Sequence, residues 1–230
     1  MNERVTHLAD LTTGEASSLE ADVLLVPLGS TEQHGPHLPL GTDTFIATAV
    51  AEAAASRRPG TVVAPALPYG SSGEHAGFAG TASTGQDALE HLLVELVRSV
   101  SAWVGRVVLV CAHGGNQEPV VRAVGTLQQE GSEVSAWFCR VPGGDAHAGH
   151  TETSLLLAID AAAVRRDRME PGVTEELAVL MGRMRAGGVA AVSANGVLGD
   201  PTGATPDAGQ ALLAGLVDDL GDFLAETTST

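Results

Sequence analysis

The stretch VLLVPLGSTEQHGPHLPLGTD, residues 23–43, joins a short apolar run to a polar loop stiffened by proline and glycine. The apolar run, residues 23–28, has the length and composition of a buried strand. Glu32 and His34 follow it two residues apart, so on an extended backbone both side chains leave the same face. Asp43 can return to them across the stiff loop. These oxygen and nitrogen groups suit zinc, manganese or ferrous iron, and the stretch therefore predicts a metal site at the end of a strand.

Beyond this stretch, short apolar runs alternate with longer segments of helical period, which is typical of a parallel sheet flanked by helices. The apolar runs predict further strands at residues 61–67, 106–112, 134–139 and 189–193. The helical periods predict helices at residues 43–58, 86–104, 116–130, 151–163 and 207–225. Residues 227–230 are expected to fray. The predicted fold class is α/β, with the polar loop at the carboxyl edge of the sheet, where such folds bind ligands.

The size and composition of the chain predict one soluble domain. With 230 residues and 44% apolar residues, the chain can build one large core but is short for two. Its apolar runs stop far below the roughly 18 residues that span a bilayer. The N-terminus contains acids where a secretory signal would have a basic region. We expect a cytoplasmic protein with no membrane segment.

The charge balance excludes some partners and some mechanisms. The net charge is -16, and all twelve basic residues are arginines scattered singly or in pairs. Such a chain lacks the basic patch that nucleic acids require, so no nucleic-acid partner is expected. Because lysine is absent, a Schiff base and a lysine general base are excluded as well.

The two cysteines, Cys111 and Cys139, lie in separate apolar segments and form no Cys-x-x-Cys pair. We interpret both as buried thiols of core strands. Cys111 precedes His113 by two residues, so a ligand role for its sulfur stays open.

Two further polar clusters lie where predicted elements end or begin. His113 ends a predicted strand and is followed by two glycines and Asn116, which a plain strand-to-helix turn would also explain. His147, His150 and Glu152 lie within six residues at the start of a predicted helix, where Glu152 can simply complement the helix dipole. Each cluster alone is ambiguous, but their common position at strand and helix ends favours a shared site.

Taken together, the clusters predict a centre for two metal ions. Three carboxylates and two histidines can hold two ions, with one carboxylate bridging them. Such ions sit about 3.5 to 4 Å apart, generate a hydroxide nucleophile near neutral pH and polarise the scissile carbonyl. A further histidine outside the metal ligands would serve as general acid or base.

The clusters, in this order, resemble the creatininase family of metal-dependent amidohydrolases. The similarity covers roughly residues 20–215 and rests on residues 27–35, Gly73-Glu74-His75 with Phe78 and Gly80-Thr81, His113-Gly-Gly-Asn116 and residues 147–154. Residues 143–154, 185–192 and 196–202 look most like the mycofactocin-pathway branch of that family. The resemblance implies a single creatininase-like metallohydrolase domain over residues 1–230, folded as a three-layer α/β/α sandwich with a mainly parallel central sheet.

The resemblance implies two divalent metal ions, which can be Zn, Fe(II) or Mn. It implies that their ligands include Glu32, His34, Asp43 and His113, with Asp43 as the bridge. Creatininase itself has an acidic ligand two residues after the histidine that matches His113, and here that position is Gly115. The shell of the second ion must therefore be completed by Glu152 or by water, and we choose Glu152 as the remaining ligand.

For the reaction, the resemblance implies that His147 transfers a proton beside the scissile bond, so that His147 and Glu152 are the predicted catalytic residues. Substrate contacts are predicted at His75, in a segment that is a polar turn by default, and at Asp200. Asp200 lies in a glycine- and proline-rich stretch that a plain turn would also explain.

The branch resemblance implies a peptidase that removes the C-terminal dipeptide Val-Tyr from the modified mycofactocin precursor peptide. Creatininase closes its pocket on a small cyclic amide with tryptophans, whereas this chain has only Trp103, in a predicted helix, and Trp137, in a predicted strand. A hydrolase of a small cyclic amide or formamide is the alternative, and a metal-binding protein without catalysis is a third. The resemblance also implies a homo-oligomer.

Overall fold

The structure, a computed structural model, describes residues 5–19 and 21–226. Within these residues, five strands form one sheet in which every neighbouring pair is parallel. The strands are β1 (Thr6–His7), β2 (Val23–Leu28), β3 (Thr61–Val63), β4 (Arg106–Cys111) and β5 (Val134–Phe138). Their order across the sheet is β1-β3-β2-β4-β5, so β2 and β4 lie inside it.

The helices cover both faces of this sheet. They are α1 (Thr13–Ser18), α2 (Thr42–Ala55), α3 (Gln86–Val100), α4 (Gln117–Gln129), α5 (His150–Ile159), α6 (Leu177–Gly187) and α7 (Pro206–Glu226). Leu24 and Val26 of β2 pack against α3 and α4, whereas Val23 and Leu25 pack against α2, α5 and α7. Because alternate residues of a strand point to opposite faces, both faces of β2 are buried, and the three-layer α/β/α sandwich is confirmed.

The pairing of β2 with β4 fixes the place of the polar loops. Leu28 lies opposite Cys111 in the register, so both strands end at the same level of the sheet. The loop after β2 and His113 after β4 therefore leave the same carboxyl edge. At this edge α2 and α5 also begin, with Asp43 in the first turn of α2 and Glu152 in the first turn of α5.

The prediction of a strand at residues 189–193 is wrong. Val189–Ala191 form a 3-10 turn instead, closed by hydrogen bonds that Ala191 and Val192 donate to carbonyls three residues earlier. This turn packs with Leu180 and Leu198 in a small apolar cluster away from the sheet. Val189 is thus buried without a strand neighbour.

The strand predicted at residues 61–67 is shorter, because β3 ends at Val63. Pro65 has no backbone N–H to offer the ladder. Pairing with β2 resumes only at Leu67, which lies opposite Leu28.

Two helices, α1 and α6, were not predicted. Only Leu180 of α6 is fully buried, so its sequence lacks the continuous apolar stripe that marks a packed helix. Among the helices of the described residues, none combines the length and the apolarity needed to cross a membrane. The predicted tail at 227–230 lies outside the described residues.

Candidate metal centre

Asp43 lies at the middle of the polar cluster and is buried. Its Oδ1 lies 3.1 Å from His34 Nε2, and its Oδ2 lies 3.2 Å from His113 Nδ1. Ser30 donates a hydrogen bond of 2.7 Å from its hydroxyl to Oδ2, which fixes the carboxylate plane. Two atoms that bind one ion at about 2 Å are separated by about 3 Å. Each oxygen of Asp43 thus lies as far from a histidine nitrogen as two ligand atoms of the same ion lie from each other.

A first candidate set of ligands consists of Glu32, Asp43 and His113, whose ligand atoms lie within 4.8 Å of one another. Glu32 Oε2 is 3.1 Å from His113 Nε2. Both Glu32 oxygens are completely buried, yet neither receives a hydrogen bond of good geometry from the described residues. A buried carboxylate without a donor is strongly unfavourable. A cation in this place would satisfy it.

A second candidate set consists of His34, Asp43 and Glu152. Glu152 Oε2 lies 3.9 Å from His34 Nε2 and accepts a 2.6 Å hydrogen bond from the backbone N–H of Ala148. The two sets share Asp43 and divide its oxygens between them. A third set, of Glu32, His34 and His147, overlaps both.

Electrostatics of the cluster favour bound cations. Burial and the neighbouring Asp43 raise the pKa of Glu32 to about 7. Burial, with a further contribution from Asp43, also raises the pKa of Glu152 to about 7. Burial would lower the pKa of His34, but the Asp43 carboxylate overrides it and raises this pKa to about 10. Without metal, the carboxylates therefore hold protons, directly or on the imidazoles, and a divalent cation would replace them. The donor set fits Zn, Fe(II) or Mn.

His147 lies beside this centre as a buried, neutral imidazole. Burial, helped by His34 and His75, holds the pKa of His147 well below its usual range. Its Nε2 is 2.8 Å from the backbone oxygen of Gln33, to which it donates. The other nitrogen, Nδ1, then has a free lone pair and lies 3.7 Å from Glu32 Oε1. The ring thus offers a proton acceptor towards the centre.

Gln33 holds the surrounding histidines in place. Its side-chain amide donates to His75 Nδ1 at 2.8 Å and to the Gly196 carbonyl at 3.1 Å. With Nδ1 accepting, His75 bears its proton on Nε2, which lies 3.3 Å from Glu32 Oε1. Burial, followed by the charge of His113, lowers the pKa of His75 to about 3. His75 therefore lies inside the buried cluster and not on an exposed turn.

A cavity of about 830 Å³ opens from the centre to solvent. One side is formed by the polar cluster, including His113, His147 and Glu152. α6 and neighbouring residues give the lining a mostly apolar part that also includes Arg185; its apolar residues are Leu177, Met181, Met184, Val189 and Leu198. The unpredicted helix α6 thus forms a wall of the site.

Asp200 does not lie on the wall of this cavity. Its exposed carboxylate accepts hydrogen bonds from the backbone and the hydroxyl of Thr202, at 2.9 and 2.6 Å, and so stabilises its own turn. The stretch reaches the cavity at Leu198 instead, whose N–H donates to the His147 carbonyl at 2.8 Å. That backbone pairing holds His147 against the centre.

Cys111 is buried in β4, as interpreted from the sequence, and its thiol donates to the His113 carbonyl at 3.3 Å. Burial raises its pKa to about 12. Cys139 lies just beyond β5 and is only partly buried. Neither sulfur belongs to the three candidate ligand sets among the described residues.

Sequence reasoning missed several residues of the site. Ser30 and Gln33 lie in the same loop as the predicted ligands, and their positions between those ligands were the available signal. His37 was also missed; it is buried and its Nε2 lies 2.8 Å from Thr153 Oγ1, which ties the loop to α5. Glu74 lines the cavity, although only its neighbour His75 had been selected.

The fold and the centre together define an α/β protein with a buried carboxylate and imidazole centre at the carboxyl edge of a parallel sheet. The chain belongs to the creatininase family, because the family model described as creatinine amidohydrolase matches residues 9–224.

The relatives in this family differ in their similarity to the chain. "Mycofactocin precursor peptide peptidase" of Mycobacterium ulcerans is 49% identical over 99% of this chain and 95% of its own length. The protein of the same name from Mycolicibacterium smegmatis is 54% identical over 87% of this chain and 83% of its own length. Creatinine amidohydrolase of Pseudomonas putida is 31% identical over 64% of this chain and 68% of its own length.

Solved creatininase structures have the same fold. A mutant creatininase described as "Zn-Zn type" aligns with a TM-score of 0.84 at 25% identity, covering 99% of this chain and all 100% of the other. The structure described as "Creatininase Mn" aligns with a TM-score of 0.82 at 26% identity, covering 98% and 100%.

Proposed function

We propose that this protein is a metal-dependent peptidase that removes the C-terminal dipeptide Val-Tyr from the modified mycofactocin precursor peptide. The observation that supports it most is the position of Asp43, whose two oxygens face His34 and His113 separately. The substrate follows from the relatives, since those named peptidase are 49% and 54% identical, against 31% for the creatinine amidohydrolase.

The residues that would hold two divalent ions fall into two sets. Glu32, Asp43 and His113 would hold one ion, and His34, Asp43 and Glu152 the other, with Asp43 as the bridge. When bound, such ions supply an activated water and polarise the amide carbonyl. One of the two creatininase structures is described as "Zn-Zn type" and the other as "Creatininase Mn", and Fe(II) suits the same ligands.

His147 would move the proton in this reaction. As a neutral imidazole with Nδ1 turned towards Glu32, it can accept a proton from the attacking water and hand it to the leaving amine. The Gln33 carbonyl keeps the other nitrogen protonated, so the ring always presents the same atom to the site. His75 stays available as a substrate contact at the same wall.

The cavity favours a peptide over a small ring. Its volume of about 830 Å³ is at the upper end of sites for drug-sized ligands, and the apolar wall of α6 can bury side chains. Trp103 and Trp137 do not line it, and the Trp137 indole N–H donates to Asp219 of α7. A cyclic amide or formamide would leave most of this volume to water.

An assay of the purified protein can distinguish the peptidase from the small-amide hydrolase. The protein is offered the modified precursor peptide, an unmodified peptide ending in Val-Tyr, and small lactams or formamides. Mass spectrometry should detect loss of the C-terminal dipeptide from the modified precursor and no opening of the small amides. Turnover of a lactam or formamide, with both peptides intact, would instead establish the alternative. We also propose that the protein acts in the cytoplasm as a homo-oligomer, which fractionation and light scattering would test.

A further inference from the structure

Gly115 leaves a space in the wall of the centre that another residue fills. A β-carbon at position 115 would overlap the Glu74 carboxylate, the His113 ring and the Ser71 carbonyl oxygen. The side chain of Glu74 thus reaches over the glycine, from a turn that is distant in sequence, to the ring of His113. An acid at position 115 itself would have no room.

Glu74 is directed at the centre and not at a partner elsewhere. Its Oε1 lies 3.7 Å from His113 Nε2, and its side chain is one-third exposed on the cavity wall. Within the described chain no hydrogen bond reaches its carboxylate. Glu118, another acid of the same wall, instead pairs with Arg122 at 2.9 Å. Glu74 is therefore a cavity carboxylate that has no arginine of the described residues within ion-pair distance.

The ligand set next to Glu74 contains a carboxylate, Glu32, that no well-formed hydrogen bond satisfies among the described residues. Both oxygens of Glu32 are buried and receive no hydrogen bond of good geometry from the described residues, on the side of His113 that Glu74 also faces. A cation held there by Glu32, Asp43 and His113 would share the His113 ring with the Glu74 carboxylate, which lies 3.7 Å from its Nε2. Anionic groups just outside a ligand set typically change metal affinity by about 10- to 100-fold.

We propose that Glu74 strengthens metal binding at the subsite formed by Glu32, Asp43 and His113, as a carboxylate just outside that ligand set. It supplies, from a separate turn, the negative charge that Gly115 cannot. This inference rests on the proposed two-metal centre, and it concerns only one of its two subsites.

The test compares zinc binding by wild type, Glu74→Gln and Glu118→Gln, each full length, freed of metal and titrated with Zn²⁺ against a chelating indicator. Glu74→Gln should bind one of two zinc ions at least about 10-fold more weakly, whereas Glu118→Gln should match wild type. Glu118→Gln is a suitable control because it removes the same charge from the same wall.

Unfolding curves recorded in chelator show whether the variants fold alike. Glu74→Ala, which removes the same charge, is a second variant if Glu74→Gln does not fold. Zinc affinities of Glu74→Gln or its substitute equal to wild type would overturn the inference and leave the proposed function standing. An equal loss of zinc affinity in Glu118→Gln would also overturn it, because the effect would then come from any negative charge on the cavity wall and not from Glu74 in particular. A wild type that binds no zinc would overturn both.

Discussion

At the scale of single residues, the centre is expected to contain groups that bind cations and groups that only transfer protons. His147 is the decisive case, because it belongs to one candidate ligand set and also presents a free Nδ1 towards the centre. Glu32 is different, since its oxygens are buried and receive no hydrogen bond of good geometry from the described residues. The two residues should therefore respond differently to substitution.

His147→Ala is expected to lower turnover by about 10²- to 10⁴-fold, the usual contribution of a general acid or base, and to keep its metal. Glu32→Gln is expected to lose turnover together with metal, because an amide is a poor ligand in place of a buried carboxylate. Cleavage rates and elemental analysis on the same samples check both. A near-normal cleavage rate in His147→Ala would mean that His147 takes no part in the mechanism. Loss of metal from His147→Ala would mean that His147 is a metal ligand.

The thiols give a second prediction at this scale. Burial raises the pKa of Cys111 to about 12, so the reactive thiolate is nearly absent at pH 8 and appears only as the pH approaches that value. We expect Cys111 to resist iodoacetamide at pH 8 in the native protein and to react after unfolding in urea. Mass spectrometry of the peptide containing it gives the measurement. Rapid labelling of the native protein would mean that this end of β4 opens to solvent.

At the scale of elements, the apolar periodicity of the sequence predicted those strands and helices whose position depends on neighbouring residues in the chain. The strands β2, β4 and β5 and the helices α2 and α7 were found within a few residues, because apolar periodicity reports burial directly. The sequence also predicted that the cluster with Glu32 and His34 lies close to His113, because the ends of β2 and β4 meet at one edge of the sheet. The helix α6, the 3-10 turn at Val189–Ala191 and the Glu74 contact were not predictable, because they depend on packing between segments distant in sequence.

The contact between α5 and α7 allows a test within one helix. A β-carbon at Gly209 would overlap the Ser154 carbonyl of α5, whereas one at Gly215 meets nothing within 4 Å. Gly209→Ala should lower the free energy of unfolding by about 1 to 3 kcal/mol through overpacking. Gly215→Ala should raise it by about 0.5 to 1 kcal/mol, since alanine favours a helix over glycine. Urea unfolding measures both, and equal effects would mean that α7 does not pack as described.

At the scale of the whole molecule, metal bound at the centre is expected to stabilise the folded state. Loops after β2 and β4 and the first turns of α2 and α5 all contribute carboxylates or imidazoles to it. Without cations these buried carboxylates hold protons, directly or on the neighbouring imidazoles, and a bound cation would take the place of those protons. The folded state should therefore bind metal far better than the unfolded chain does.

Removal of metal is accordingly expected to lower the melting temperature. A ligand at 100 times its dissociation constant stabilises the folded state by about 2.7 kcal/mol, which corresponds to a shift of several degrees in a chain of this size. Thermal scans with chelator, and after zinc is added back, provide the measurement and its control. Identical melting curves in both conditions would show that metal does not bind the folded protein.

The count of metal ions per chain tests the central claim most directly. We predict that elemental analysis finds two divalent ions per chain in the wild type, and that Asp43→Asn, in which one oxygen of the shared carboxylate becomes an amide nitrogen, loses most of both. A wild type with a single ion, or an Asp43→Asn protein that retains two, would contradict a centre bridged by Asp43.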